Sequence, residues 1–246
     1  MEIVFLGTNG WYDTDTGNTI CTLVNSEDFH ILLDAGNGIY KADRFIKDDK
    51  PVILLLSHFH LDHIEGLHIL NKFKFSQGLQ ILGQRGTKDI LHRIIDKPFT
   101  VPLSDLPFSV KIHELDEGAW QMPFPLECYY MLHASPCLGF RFELDGKKIA
   151  YIPDTGLCEN AIRLAKEADL VIAECSLRPG EHNSRWPHLN PQDAAKIARE
   201  AKAKRLALVH FDAARYKTIR ERAAAGKSIS DYSNLIVAHD DMIIEI

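Results

Sequence analysis

Val52-Ile53-Leu54-Leu55-Leu56, followed at once by Ser57-His58-Phe59-His60-Leu61-Asp62-His63, decides how this chain is read. Five aliphatic residues in a row read as a buried strand, and the histidines begin where it ends. Three imidazoles and a carboxylate within six residues do not pack into a core without partners. Histidine is the commonest metal ligand, and several beside one carboxylate suit a borderline divalent cation. His58 and His60, two apart on extended chain, project the same way; Asp62 and His63 follow at the turn into a helix. Four donors suffice for one cation, whereas two need about seven or eight.

The remaining candidates each follow an apolar run. His133 comes after Glu127-Cys128-Tyr129-Tyr130-Met131-Leu132, Asp154 after Lys148-Ile149-Ala150-Tyr151-Ile152-Pro153, and His210 after Arg205-Leu206-Ala207-Leu208-Val209. Polar groups just beyond strands lie on the rim of a sheet, where sites are commonly built. Taken singly each reads better as a cap or a hydrogen-bonded core residue; beside the histidine cluster they read as ligands.

Strands are expected at 2–6, 19–24, 29–33, 52–56, 79–83, 109–115, 126–132, 138–144, 147–152, 170–174, 205–210, 234–238 and 242–246. Asp145-Gly146 marks a hairpin. Helices are expected at 38–47, 64–73, 87–96, 159–168, 191–203 and 214–225, with Asn190 as N-cap and Pro191 at the first helical position. Glu200 would pair with Lys196 and Lys204 on a solvated face. Hairpin blocks between helices suggest an α/β fold of two sheets packed face to face with helices outside, although pattern alone also admits a three-layer sandwich.

At 246 residues, with 46% hydrophobic and 25% charged residues, the chain reads as one soluble globular domain over 1–246. It has no apolar run of about 18 residues, so no spanning helix is expected and no membrane partner. Glu2-Ile3-Val4-Phe5-Leu6-Gly7 opens directly as a strand and glycine turn without a basic leader, which gives a cytoplasmic expectation. Cys21, Cys128, Cys137, Cys158 and Cys175 are scattered and show no C-x-x-C pair, so they read as small buried hydrophobes. Net charge is −6, yet residues 196–227 hold ten Lys/Arg against three acids. A solvated pair of helices explains that segment better than a phosphate-facing rim.

His58-x-His60-x-Asp62-His63 with His133, Asp154 and His210 resembles the motif layout of the metallo-β-lactamase superfamily. Phe5-Leu6-Gly7-Thr8 and Leu33-Asp34-Ala35-Gly36 match its early motifs, so the resemblance spans nearly the whole chain. It implies an αββα sandwich with two divalent metals at one edge of the sheets, most fittingly Zn2+, with Mn2+ or iron compatible with the same donors. His58, His60 and His133 would hold the first metal; Asp62, His63 and His210 the second; Asp154 would bridge them. Asp34 would orient a ligating imidazole.

Ligands alone do not name the substrate. Ala173-Glu174-Cys175-Ser176 and His188-Leu189-Asn190-Pro191 are similar to the ribonuclease Z branch, in which a strand-end glutamate pairs with a histidine before the next helix. Two departures stand out: Ala173 where that branch carries histidine, and Leu189-Asn190 where it carries Ser-Thr. His188 oriented by Glu174 would protonate a leaving alkoxide, while a hydroxide held by two metals, oriented or deprotonated with help from Asp62, attacks phosphorus. His182 is a weaker competitor for the acid. Between His63 and His133 there is no obvious tRNA-gripping arm, and Lys97-Pro98-Phe99-Thr100-Val101-Pro102 reads as a loop. The expectation is therefore a phosphodiesterase acting on a small diester (cyclic phosphate, nucleotide) or an RNA 3′ end. A tRNA 3′-processing endoribonuclease is the near alternative, and a carboxyl ester, lactone or thioester hydrolase the next. A di-iron oxygen or nitric-oxide reductase and a non-catalytic binding protein stand further off. Dimers are common in this branch, so a homodimer is implied too. The segment 176–187 is expected to shape the substrate pocket; Trp186-Pro187 could wall a base-binding pocket there, although packing is the favoured reading.

Overall fold

Alternation along Val52–Leu56 sets the layers. Ile53 and Leu55 face one apolar cluster and Val52, Leu54 and Leu56 another, so the strand is buried on both sides, as a continuous aliphatic run requires. The computed structural model describes residues 1–246. This strand sits in a seven-stranded mixed sheet ordered Met242–Glu245, Glu2–Gly7, Cys21–Asn25, His30–Leu33, Val52–Leu56, Leu79–Gln84, Val110–Leu115. A second sheet of seven runs Leu235–Val237, Leu206–Val209, Leu170–Glu174, Lys147–Ile152, Leu138–Leu144, Pro125–Tyr130, Gly118–Gln121.

The inner faces meet in one core that joins Phe5, Val24, Ile31 and Ile53 of the first sheet to Phe140, Phe142, Ile149 and Ile172 of the second. The outer face of the second sheet carries helices Glu159–Ala165 and Pro191–Glu200, whose Ala161, Leu164, Ala194, Ala195 and Ile197 pack on Ala150, Val171 and Leu208. The outer face of the first is covered by Asn37–Arg44, Glu65–Lys72 and Thr87–Ile94 through Ile39, Leu67, Leu70 and Leu91. That is the αββα order, and it excludes a three-layer sandwich. No helix is long and apolar enough to cross a membrane.

The expected turns and caps are present. Asp145 and Gly146 both take positive φ (50° and 68°), as a two-residue hairpin demands. Asn190 caps its helix by accepting from the Asp193 amide, with Pro191 in the first turn. Three details differ from expectation. Asn37–Arg44 and Glu65–Lys72 are 3-10 rather than α; the second is drawn tight at Gly66 to the turn that leads into the first, where a Cβ would lie 2.2 Å from the Gly36 carbonyl oxygen. The last helix begins only at Ile219, fixed there by a Thr218–Glu221 capping box. Lys204 lies beyond its helix and pairs with Asp169 at 2.7 Å, leaving Glu200 to Lys196 alone at 3.9 Å.

His30–Leu33 and Val52–Leu56 run parallel in one sheet, and Lys147–Ile152, Leu170–Glu174 and Leu206–Val209 run parallel in the other. Their carboxyl ends gather at one edge of the sandwich, which is where loops of open α/β sheets build sites. At that edge Asn9–Gly10 pairs with Phe211–Asp212 in a two-stranded ribbon joining the ends of both sheets.

Phe140 lies opposite Cys128 and Tyr151 with no exposed surface. Phe140→Ala should cost about 3–5 kcal/mol in urea unfolding; a loss below about 1 kcal/mol would contradict its place between the sheets.

Candidate metal centre

The loop after Val52–Leu56 turns His58 into the sandwich edge and leads through His60 into the short helix Leu61–Ile64, which carries Asp62 and His63. From the other sheet come His133, Asp154 and His210, each just past a strand end. His58, His60, His133 and Asp154 form one group of donors, all ligand atoms within 4.8 Å of one another; Asp62, His63 and His210 form a second. Asp154 lies between them. Its Oδ1 is 3.4 Å from His63 Nε2 and 3.2 Å from His210 Nε2, and its Oδ2 is 3.8 Å from His58 Nε2 and 3.6 Å from His133 Nε2.

Two buried atoms here, His58 Nε2 and Asp154 Oδ1, have no hydrogen-bond partner. Buried polar atoms are rarely left so, because the desolvation is uncompensated. Cations held by the two donor groups would satisfy one each, and imidazole with carboxylate is a donor set suited to a divalent ion.

The electrostatics agree. Burial, helped by the neighbouring His63, holds His58 well below the usual histidine range, and burial lowers His60 and His133 too, which leaves these rings neutral with a free lone pair. Burial would also lower His63, but Asp154, Asp62 and Asp34 outweigh it and raise that imidazole. The same contest, led by Asp154, raises His210. A cation would take the place of these protons.

The outer partners fix which ring nitrogen faces inward. Asp34, fully buried with φ 55°, accepts from His63 Nδ1 at 2.8 Å, from the Ser57 hydroxyl at 2.7 Å and from the Tyr151 hydroxyl at 2.6 Å, all on Oδ2. The Ser57 amide donates to Oδ1 at 2.7 Å. Asp34 thus turns His63 Nε2 toward the cluster. Ser176 Oγ, 2.9 Å from His210 Nδ1, does the same for His210, which stands at φ 53°. Gly10 makes room for that ring, since a Cβ there would lie 2.5 Å from it. Tyr151 and Ser176 carried no signal in the sequence beyond a polar atom in an apolar strand or just after one. The Trp11 amide, which donates to Asp62 Oδ2 at 2.7 Å, carried none at all.

Glu174, fully buried, accepts from His188 Nδ1 at 2.7 Å and from the amides of Thr155, Ser176 and Leu189. His188 Nε2 therefore points at the cluster, 4.0 Å from Asp154 Oδ2. Burial opposes its protonation, but Glu174 and Asp154 outweigh that and push His188 up to about 9. His182 is exposed and sits by Asp193, away from the cluster. Cys21, Cys128, Cys137 and Cys175 are buried and all five cysteines are free. A cavity of about 710 Å³ opens over Asp62, Asp154, His188 and His210, with Ser176, Leu177, Asn183 and Trp186 from the segment expected to shape it. Trp186 is half exposed on its wall, 5.7 Å from the His60 ring, and so is not the packing residue its sequence context indicated.

A family model described as beta-lactamase superfamily domain matches residues 30–211, which hold all these donors but the Trp11 amide. The chain belongs to that superfamily. Among its relatives, ribonuclease Z of Metallosphaera sedula is 26% identical over 282 aligned positions, covering 93% of this chain and 94% of the relative. The probable metallo-hydrolase YhfI of Bacillus subtilis is 25% identical over 220, covering 86% and 87%. In structure, YhfI superposes with a TM-score of 0.79 over 99% of each chain at 22% identity. The short form of human tRNase Z superposes at 0.80, over 100% of this chain and 99% of that one, at 24% identity. These likenesses establish the beta-lactamase superfamily fold over the full length.

Asp34→Asn removes the charge that orients His63. It should lower zinc affinity roughly 10–100-fold in titration against a chromogenic chelator, with far-UV circular dichroism preserved. An unaltered affinity would show that Asp34 serves only the fold.

Proposed function

We propose that this chain is a metal-dependent phosphodiesterase acting on a small or exposed phosphodiester. The observation that carries the reading is the His188–Glu174 pair. It supplies a proton donor aimed at a metal-ligand cluster, something a diester with an alkoxide leaving group requires and a thioester, whose thiolate leaves unprotonated, does not. The residues that line its cavity run from Gly10 to Arg215, which supports reading 1–246 as one catalytic unit.

In this reading His58, His60 and His133 hold one cation, Asp62, His63 and His210 a second, and Asp154 lies between, with zinc the ion these donors suit best. Bound there, the pair would neutralise phosphoryl oxygens and make water nucleophilic at neutral pH. Asp62, its Oδ2 shared between the Trp11 amide and His210, orients a water at that face. His188, protonated and locked by Glu174, gives up the Nε2 proton to the departing oxygen. Three backbone amides donate to Glu174 and hold its carboxylate in place behind that ring.

One observation favours a small substrate over transfer RNA. Alignment to the archaeal ribonuclease Z runs over 282 positions, more than the 246 residues here, so that relative carries segments this chain lacks; YhfI aligns over 220. The basic segment is paired only in part, and Lys202, Lys217, Arg220 and Lys227 stand in no ion pair. Arg199 pairs with Asp231, Lys204 with Asp169, Arg215 with Asp212 and Glu181, and Arg222 is buried.

Metal-loaded protein is expected to hydrolyse both bis(p-nitrophenyl) phosphate and a dinucleoside phosphate. His188→Ala should lower kcat about 10²–10⁴-fold on the second and far less on the first, because nitrophenolate leaves without a proton. Metal content should not change. Thioester or lactone cleavage with no diester hydrolysis would move the protein to the carboxyl-ester class.

A further inference from the structure

Two of the three tryptophans stand at the mouth of one cavity. Trp11 is 66% exposed and Trp186 51%, and both line the space above Asp154 and His188 together with Leu61. Single exposed apolar residues need no explanation, but large ones gathered on a concave rim mark a ligand.

The rim is held in place. Trp11 takes a positive φ of 76°, a backbone state that costs energy for a bulky residue. Its amide is tied to Asp62 Oδ2. The loop behind it is clamped by Asn9, whose side-chain amide donates to the Tyr12 and Gly17 carbonyls and to Thr14 Oγ1. The buried Arg222 guanidinium donates in turn to Asn9 and to Thr16. Across the cavity the Trp186 amide donates to Asn183 Oδ1 at 3.1 Å, and its ring lies beside His60 and His133. Backbone and anchors are fixed while both indoles stay in water. That is the arrangement of a stacking surface, where aromatic faces take planar rings of any edge pattern.

We propose that Trp11 and Trp186 form an aromatic subsite that stacks a planar ring carried on the phosphate ester, a nucleobase being the ring tested. The phosphate position rests on the phosphodiesterase reading, whereas the ring subsite stands on the indoles themselves.

Adenosine 5′-monophosphate and ribose 5-phosphate share sugar and phosphate and differ only in the base. As inhibitors of bis(p-nitrophenyl) phosphate hydrolysis by the metal-loaded protein, the nucleotide should bind roughly tenfold more tightly. That preference should collapse toward unity in Trp186→Ala and in Trp11→Ala and persist in Trp186→Phe, which keeps a ring. Calorimetric titration of the same two ligands, with quenching of tryptophan fluorescence, measures the preference without turnover. Absence of diester hydrolysis would therefore sink the phosphodiesterase reading while the subsite is still decided. Equal binding of both ligands by the parent protein overturns the proposal. So does a preference that survives both alanine variants, or a parent dimer that Trp11→Ala dissociates with the ligand ratio at unity, which would make the indoles a contact between two copies.

Discussion

A carboxylate with almost no water around it, Asp154, is the constraint to which the rest of this structure answers. Five imidazoles, those of His58, His63, His133, His188 and His210, bring a ring nitrogen within 3.2–4.0 Å of its two oxygens. Burial alone would raise its pKa, but His210, His63 and His188 hold it well below the carboxylate range. A buried charge is tolerable only when compensated, and the compensation must arrive from both sheets at once. The strand ends, the αL backbone of Asp34 and His210 and the absent side chain at Gly10 all serve that meeting.

Much of this was legible in the amino-acid sequence because the strands are buried on both faces. Val52–Leu56, Ile149–Ile152 and Leu206–Val209 read as unbroken apolar runs, and polarity returns abruptly at the residues that form the site. The His188–Glu174 pair was readable through the family resemblance alone. What stayed hidden depends on contacts across the chain. The Tyr151 hydroxyl reaches Asp34 over 117 residues, and no local pattern separates it from any other core tyrosine. The Trp11 amide on Asp62 is a main-chain group and leaves no trace in residue type. The helix pattern at 64–73 was real, but spacing does not distinguish a 3-10 turn drawn down onto Gly36 from an α-helix. Trp186 was misjudged for a similar reason: a tryptophan before a proline looks the same whether it faces a core or a cavity.

The basic character of residues 196–227 shows how a one-dimensional charge count misleads. Arg222 turns inward, where its guanidinium meets Thr8, Asn9 and Thr16 over the Phe211 ring, and burial brings it down to about 10. Arg199, Lys204 and Arg215 meet acids from distant segments.

The first sheet is closed at its edge by Met242–Glu245 against Glu2–Gly7, so the two ends of the chain are neighbours. During synthesis, the strand beginning at Glu2 must wait for nearly the whole protein before its outer partner exists. His58, His60, Asp62 and His63 likewise emerge some 150 residues ahead of His210. Contacts so far apart in the chain form slowly, because the loop must close before they repay its entropy. The nascent chain therefore displays a half-built set of imidazole and carboxylate donors for most of its time on the ribosome, and the full cluster closes only late in folding.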